Sequence, residues 1–537
     1  MPRFVAALTL GLALLLTSLG AQTRPLGRVV FPNSCRAQAQ NDFLRGVAWL
    51  HSFGYEEAID AFRAAQRIDP ACAMAYWGEA LAFNQALWMF EEPQKARAAL
   101  ARLGPTPQTR VQKAPTPRER SFLQAVETLW GAGDMPARAQ AYADAMANVA
   151  ADNPGDDEAQ TFYALAILGA LPRGDASIPL RRKAGAIAEA VFARSPNHPG
   201  AAHYVIHAYD HGTLAAKALA AATAYAKIAP AASHALHMPA HTFVQLGYWD
   251  AAATTDEASW NASVAWAAGR SLSVSMRDFH SLTWLHYEWT QQGRFTKADG
   301  ALALVDEAIK VVKPADLIGG HQGHDSEIGR GTGPTALRND RGAMRARLVI
   351  ESERWQEMKG QQSFDSIDEL FALGMSSVRL GDLARTDAAI DLMAKALAPE
   401  QDPGLREQAA VMLAELQALK AMAEKRTADA LAAMARAATL QSRMPKPIGR
   451  PFPVKGADEL YGEILLQAGR ATEAATWFER TLSRTPNRSR AVLGLARALA
   501  KAGNKVGSRR AYRQFLINWR LADPALPELA EARAALR

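Results

Sequence analysis

Six of the chain's twelve histidines fall between residues 199 and 247, and they recur with a fixed step. His203 and His207 form one H-x-x-x-H pair and His237 and His241 another, each member of the second standing 34 residues after its counterpart in the first. A step of that length implies one supersecondary unit copied along the chain, each copy burying its apolar face against its neighbours, so the fold grows by stacking. No single core has to enclose all 537 residues. Repetition therefore constrains this chain more than its composition does.

Thirty-four residues is the length of the tetratricopeptide helix-turn-helix unit. Over residues 39–72, Gly46, Trp49, Ala58, Phe62, Ala65 and Pro70 take the places where that unit wants small and large packing residues, with Gly54-Tyr55 at the turn between helices. Pro196 and Pro230 are again 34 apart, and their frame puts Ala218 where Ala58 stands and Leu246-Gly247-Tyr248-Trp249 at the next turn. The predicted fold is all-α: a solenoid of helix-turn-helix repeats wound as a right-handed superhelix, with no sheet.

In this frame His203, His207, His237 and His241 miss every packing place and fall on the face that lines the concave groove of such solenoids. His211 and His234 share that face, and His280 falls in register with His234, whereas His286 falls on the packing face and reads as a core histidine. Residues four apart on a helix have β-carbons roughly 5–6 Å apart. Axes of packed helices are roughly 8–10 Å apart, so the two pairs are expected to form one patch of four imidazoles.

Residues 1–21 read as a signal peptide, with Arg3 in a short basic start, an apolar run from Val5 to Leu16, and small residues before Gln22. Residues 22–118 hold N-terminal hairpins with an irregular insertion, and 119–313 the central array with the histidine groove. A glycine-rich insertion spans 314–341; its H-x-x-H-D, from His321 through His324 and Asp325, offers possible further ligands or a solvated loop. Helical hairpins resume over 342–443. Four prolines between Pro445 and Pro453 then forbid helix, making 444–455 an extended strap. Residues 456–537 form the C-terminal repeats, where Glu459 and Glu463 take the places of the histidine pairs and read as solvated carboxylates.

Cys35 and Cys72 bracket the first repeat, whose hairpin returns its end close to its beginning. In an exported protein a disulfide across that base is expected, the alternative being two unlinked small apolar residues. The net charge of +7 is spread thinly over 537 residues without a basic tract, which argues against nucleic acid as a partner. No apolar run after the first is long enough to span a bilayer; peripheral association with a membrane stays open.

Four segments carry a resemblance: Cys72-Ala-Met-Ala-Tyr-Trp-Gly78, His203-x-x-Ile-His207-x-x-Asp210, His234-Ala-Leu-His237-Met-Pro-Ala-His241, and the strap from Pro445-Lys-Pro447 to Pro453-Val-Lys455. In these the chain resembles a widespread, largely uncharacterised family of exported bacterial tetratricopeptide-repeat proteins. The resemblance covers nearly all of the chain after residue 21. It implies the fold and a periplasmic or secreted location, and assigns no activity. One departure is His280-Ser-Leu-Thr283-Trp284, where relatives tend to read His-x-Leu-Asp-Tyr.

Three functions compete for the groove. Neutral imidazole is the commonest side-chain ligand for zinc, copper and nickel. His203, His207, His211, His234, His237, His241 and His280 are thus candidate ligands for a divalent transition metal, with Asp210 as a further ligand or an orienter. A protein or peptide ligand could instead bind the same face through hydrogen bonds and stacking. A metal-bound water acting as a nucleophile would make the site an enzyme, but H-E-x-x-H is absent and no serine or cysteine nucleophile motif appears, so a binding scaffold is favoured. A fourth reading has the histidines tie helices together in a repeat interface.

Overall fold

The first hairpin shows how these residues select their structure. Its helices Gln40–His51 and Tyr55–Ile68 meet at Phe62, whose ring is wholly buried together with Ala58 and Ala65 one turn away on either side. Gly46 before it and Gly78 after it lie flat against that ring: a β-carbon at Gly78 would stand 2.3 Å from Phe62 Cζ. The device returns near the C-terminus, where Gly462 and Gly494 flank Phe478 at the same spacing. Because the ring is fixed by buried neighbours, Gly78→Ala is expected to lower stability by ~1–3 kcal/mol through overpacking, read as a shift in the urea midpoint with unchanged slope.

The computed structural model describes residues 25–172, 177–316, 324–325, 331–397 and 402–537. Among them twenty-five α-helices follow one another, most packed against the next in sequence, as an all-α tetratricopeptide-type solenoid. The proposed signal peptide, residues 1–21, lies outside the described residues. No described helix is long and apolar enough to cross a membrane. The expectation of no sheet is modified by two ladders of two residues each, Asn84–Gln85 with Phe90–Glu91 and His324–Asp325 with Gly331–Thr332. The first belongs to a short hairpin inserted between helices. A helix already begins at Pro334, inside the span assigned to the glycine-rich insertion, because proline suits the first helical turn, where its missing N–H is not needed.

Cys35 and Cys72 are joined by a disulfide, with α-carbons 4.6 Å apart. At the first turn the left-handed residue is Phe53, with φ 58°, and not Gly54. Its ring is thereby turned toward the histidines.

The solenoid closes on itself. Asn487, in the turn between two C-terminal helices, receives a hydrogen bond from Trp249 Nε1 at 2.8 Å on its carbonyl and donates to the Gly247 carbonyl at 2.9 Å. Gly247 has φ +73°, and a β-carbon there would stand 2.3 Å from the Pro486 carbonyl, so glycine is required by backbone and contact alike. One repeat on, Gly293 meets the Trp519 ring, and its carbonyl accepts from Asp523 N at 3.0 Å.

The strap lies across this closure. Arg347 Nη2 donates to the Pro451 carbonyl at 3.0 Å, Lys446 Nζ to the Ser483 carbonyl at 2.9 Å, and Arg484 Nη2 to the carbonyls of Met444 and Pro445. Glu459 is not solvated, contrary to its sequence reading. It is fully buried, paired with Lys455 of the strap and with Arg488, which also holds Glu351 at 2.6 Å. Glu463 pairs with Lys455 and Arg379. Closure of the solenoid buries what an open groove would expose.

Candidate metal centre

Three helices carry the histidines: Pro199–Tyr209, Ser233–Leu246 and Phe279–Gln291. Each H-x-x-x-H pair receives a third imidazole from the first turn of the next histidine helix. The results are two clusters, His203–His207–His234 and His237–His241–His280, each with ligand atoms within 4.8 Å of one another. The expected single patch of four is therefore divided. The second cluster is the first moved along by one repeat. Its third member comes 46 residues after His234 because the intervening helix Trp249–Gly269 has 21 residues, against 10 in Leu219–Ile228.

The burial of the pairs also departs from the open groove face. His203 is 0% and His237 1% exposed. His203 lies under the first hairpin: its Nδ1 donates to the His51 carbonyl at 2.6 Å, and its ring stacks against Tyr225 with Phe53 4.3 Å away between centroids. That donation leaves a lone pair on Nε2, which faces His234 Nε2 at 3.1 Å. His207 Nε2 is buried with no hydrogen-bond partner. Burial pushes the imidazole of His203 down to about 3, and burial together with the His203 charge holds His207 well below the ordinary histidine range. Both are neutral near pH 7, the form that coordinates metal.

The second cluster is more sharply defined. His237 Nδ1 lies 2.7 Å from Asp256 Oδ1, and His241 Nδ1 lies 2.9 Å from Asp210 Oδ2. A carboxylate only accepts, so both Nδ1 atoms must donate, and in the neutral rings both Nε2 atoms carry lone pairs. Those atoms face each other at 2.9 Å. Two lone pairs so placed repel unless a proton or a metal ion lies between them. Nitrogens bound to one tetrahedral zinc at ~2.05 Å would lie roughly 3.3 Å apart. Carboxylate–imidazole pairs of this kind fix the tautomer and orientation of metal-ligating histidines. Behind Asp256, burial and the negative charge of Asp256 push the Glu288 carboxyl well above its usual range. Trp284 stacks on His241 at 4.4 Å, and Thr283 Oγ1 donates to the His280 carbonyl at 2.7 Å.

A third group, His51, Glu158 and His198, is also close enough to hold an ion, and the sequence reading missed it. Its hydrogen bonds account for every nitrogen. His198 Nδ1 accepts from Ala201 N at 3.1 Å and its Nε2 donates to Glu158 at 3.2 Å, while His51 donates to Glu158 at 2.7 Å and accepts from the Tyr204 hydroxyl at 2.9 Å. No lone pairs converge, and the group is a buried hub joining the first hairpin to the histidine helices.

A cavity of about 840 Å³ runs past both clusters, with His207 and His234 of the first and His241 and His280 of the second on its wall. Asp210 and His211 line it too; His211 belongs to neither cluster, its Nδ1 lying 3.0 Å from Thr213 Oγ1. Pro445, Lys446 and Ile448 of the strap form part of its boundary, and Gly449 packs flat on Trp284. His321 lies outside the described residues, and of His324 and Asp325 only the backbone pairing is described. His286 is wholly buried away from both clusters, with neither ring nitrogen hydrogen-bonded. Phe53, Asp256 and Trp284 escaped the sequence reading. Only Trp284 had left a signal, four residues after His280, where a third H-x-x-x-H pair would have put its second histidine.

No protein-family model matches the chain, and no curated protein matches its sequence. Among solved structures it is similar to the APC/C hetero-tetramer Cut9–Hcn1, at 10% identity over 94% of this chain and 77% of that chain, with a TM-score of 0.29. It is also similar to a monomeric mutant of IFIT1 with Gppp-AAAA, at 14% identity over 90% of this chain and 100% of that one, with a TM-score of 0.35.

Proposed function

We propose that this chain is an exported metal-binding repeat protein, in which two tri-histidine clusters each hold a divalent transition metal ion, zinc, copper or nickel, beside one internal cavity. The observation that carries the reading is the pair of Nε2 atoms of His237 and His241, 2.9 Å apart, with both Nδ1 atoms committed to carboxylates. Three neutral nitrogens suit a borderline cation and leave a coordination position open. The Cys35–Cys72 disulfide supports an oxidising compartment. Capture of a protein or peptide in the groove remains the second reading. The strap occupies part of that face, which favours ions and small molecules.

Elemental analysis of the untagged full chain after export tests this, with up to two equivalents of metal expected, one per cluster. His237→Ala with His241→Ala should remove one equivalent, and His203→Ala with His207→Ala the other. Asp210→Asn should weaken the second site by about 10–100-fold while leaving the first intact. At a free-metal concentration one hundred times Kd, each occupied site should add about 2.7 kcal/mol of stability. Metal-free protein whose melting ignores added zinc, copper and nickel would overturn the proposal.

A further inference from the structure

The cavity beside the clusters has the character of a small-molecule site, and its ligand class can be read from its walls. Its volume, about 840 Å³, is within the range of such sites and leaves no room for a folded partner. Its wall combines apolar side chains, Leu87, Trp88, Met135, Leu171 and Met238, with the four imidazoles, and the Trp88 ring lies 5.3 Å from that of His234 between centroids. The Asp210 carboxylate on that wall is already engaged on both oxygens, by His241 Nδ1 and by Gln245 Nε2 at 2.8 Å. Arg181 also lines it, held in place by donating from Nη1 to the His207 carbonyl at 2.9 Å. Neutral imidazoles do not offset the charge of a divalent ion, and Asp210 and Asp256 offset only part of it at the second cluster. With two such ions and Arg181, the imidazole wall is net cationic.

The rim adds a separate observation. Met89 stands in the left-handed region at φ 53°, in the turn of the 84–91 hairpin, and is 60% exposed beside the cavity. Backbone held in that region by a residue other than glycine is strained, and such strain gathers at ligand clamps. An exposed methionine at a cavity mouth also offers an adaptable apolar contact.

Resting on the metal reading, we infer that the cavity binds a small organic anion whose oxygen head takes the open coordination position and whose apolar body, of aromatic-ring size, lies against Leu171, Trp88 and Met238. Arg181 adds charge at the head, and the 84–91 hairpin closes over the body.

The test uses the full chain loaded with cobalt(II), whose visible absorption reports the coordination of the ion, titrated with benzohydroxamate and acetohydroxamate. These probes share a head and differ in the apolar body. Benzohydroxamate should bind about tenfold more tightly, the factor a partly buried ring supplies. Leu171→Ala, which removes apolar wall without adding charge, should narrow that preference, and the cobalt spectrum of the variant reports separately that the ion is still held. Equal affinity of the two probes in the unmodified chain, or a preference undiminished in Leu171→Ala, would overturn the inference while the metal reading stood. Failure to bind cobalt at all would remove the metal reading and this inference with it.

Discussion

Arg488→Met is expected to destabilise the protein by ~3–5 kcal/mol, the cost of breaking a buried ion pair from one side. Arg488 is 2% exposed and sits between Glu351 and Glu459, both buried, with Lys455 of the strap on the far side of Glu459. Removing the guanidinium strands Glu351 and leaves Glu459 to Lys455 alone. Burial by itself would push the Glu459 carboxyl up; Arg488 and Lys455 overcome it and hold the group down to about 2, from 4.5. A depressed carboxylate contributes stability that is complete above its unfolded value and is lost as pH falls from about 4.5 toward 2. Urea unfolding followed between pH 7 and pH 2 should therefore show a steep acid loss in the parent and a shallower one in Arg488→Met. A variant within about 1 kcal/mol of the parent at pH 7 would mean that the network does not join the strap to the array. Arg488→Met combined with Glu351→Gln and Glu459→Gln should recover part of the loss, since no ionised carboxylate then stays buried unpaired.

Loss of the disulfide should have an effect of similar size. Cys35 and Cys72 close a loop across a sequence separation of 37, which corresponds to about 4 kcal/mol on the loop-entropy model. Cys35→Ala with Cys72→Ala should lose most of that in urea unfolding, and the parent should lose as much when reduced. The functional consequence is selective. The first hairpin supplies the His51 carbonyl that orients His203 and the Phe53 ring beside His207 and His234. Loosening it should weaken metal binding at the first cluster and spare the second, whose orienting carboxylates belong to other helices. Equal loss at both clusters would show that the hairpin acts on the array as a whole.

Much of this architecture was legible beforehand because its signals are local. The glycines that flank Phe62, the prolines of the strap and the step between histidine pairs all act within one or two helical turns or one repeat. The H-x-x-x-H pairs marked members of both histidine clusters for the same reason. Two readings failed at longer range. Glu459 shares the register of the histidine pairs, yet it is buried because the strap and the C-terminal turn fold over it. Phe53 had no place in a reading that put Gly54-Tyr55 at the turn. Its place beside His203 depends on a hairpin 150 residues away docking on the histidine helices.

The amino-acid order alone determined the helical hairpins, their 34-residue register and the recurrence of imidazoles on one helix face, since helix geometry sets which residues four apart share a side. Tertiary structure decided how those imidazoles are grouped, three and three in place of one set of four, and which carboxylates orient His237 and His241. It also decided that the strap borders their cavity. Those outcomes depend on how neighbouring helices are offset and on the C-terminal repeats curling back onto the middle of the array, and residue spacing within a single helix specifies neither.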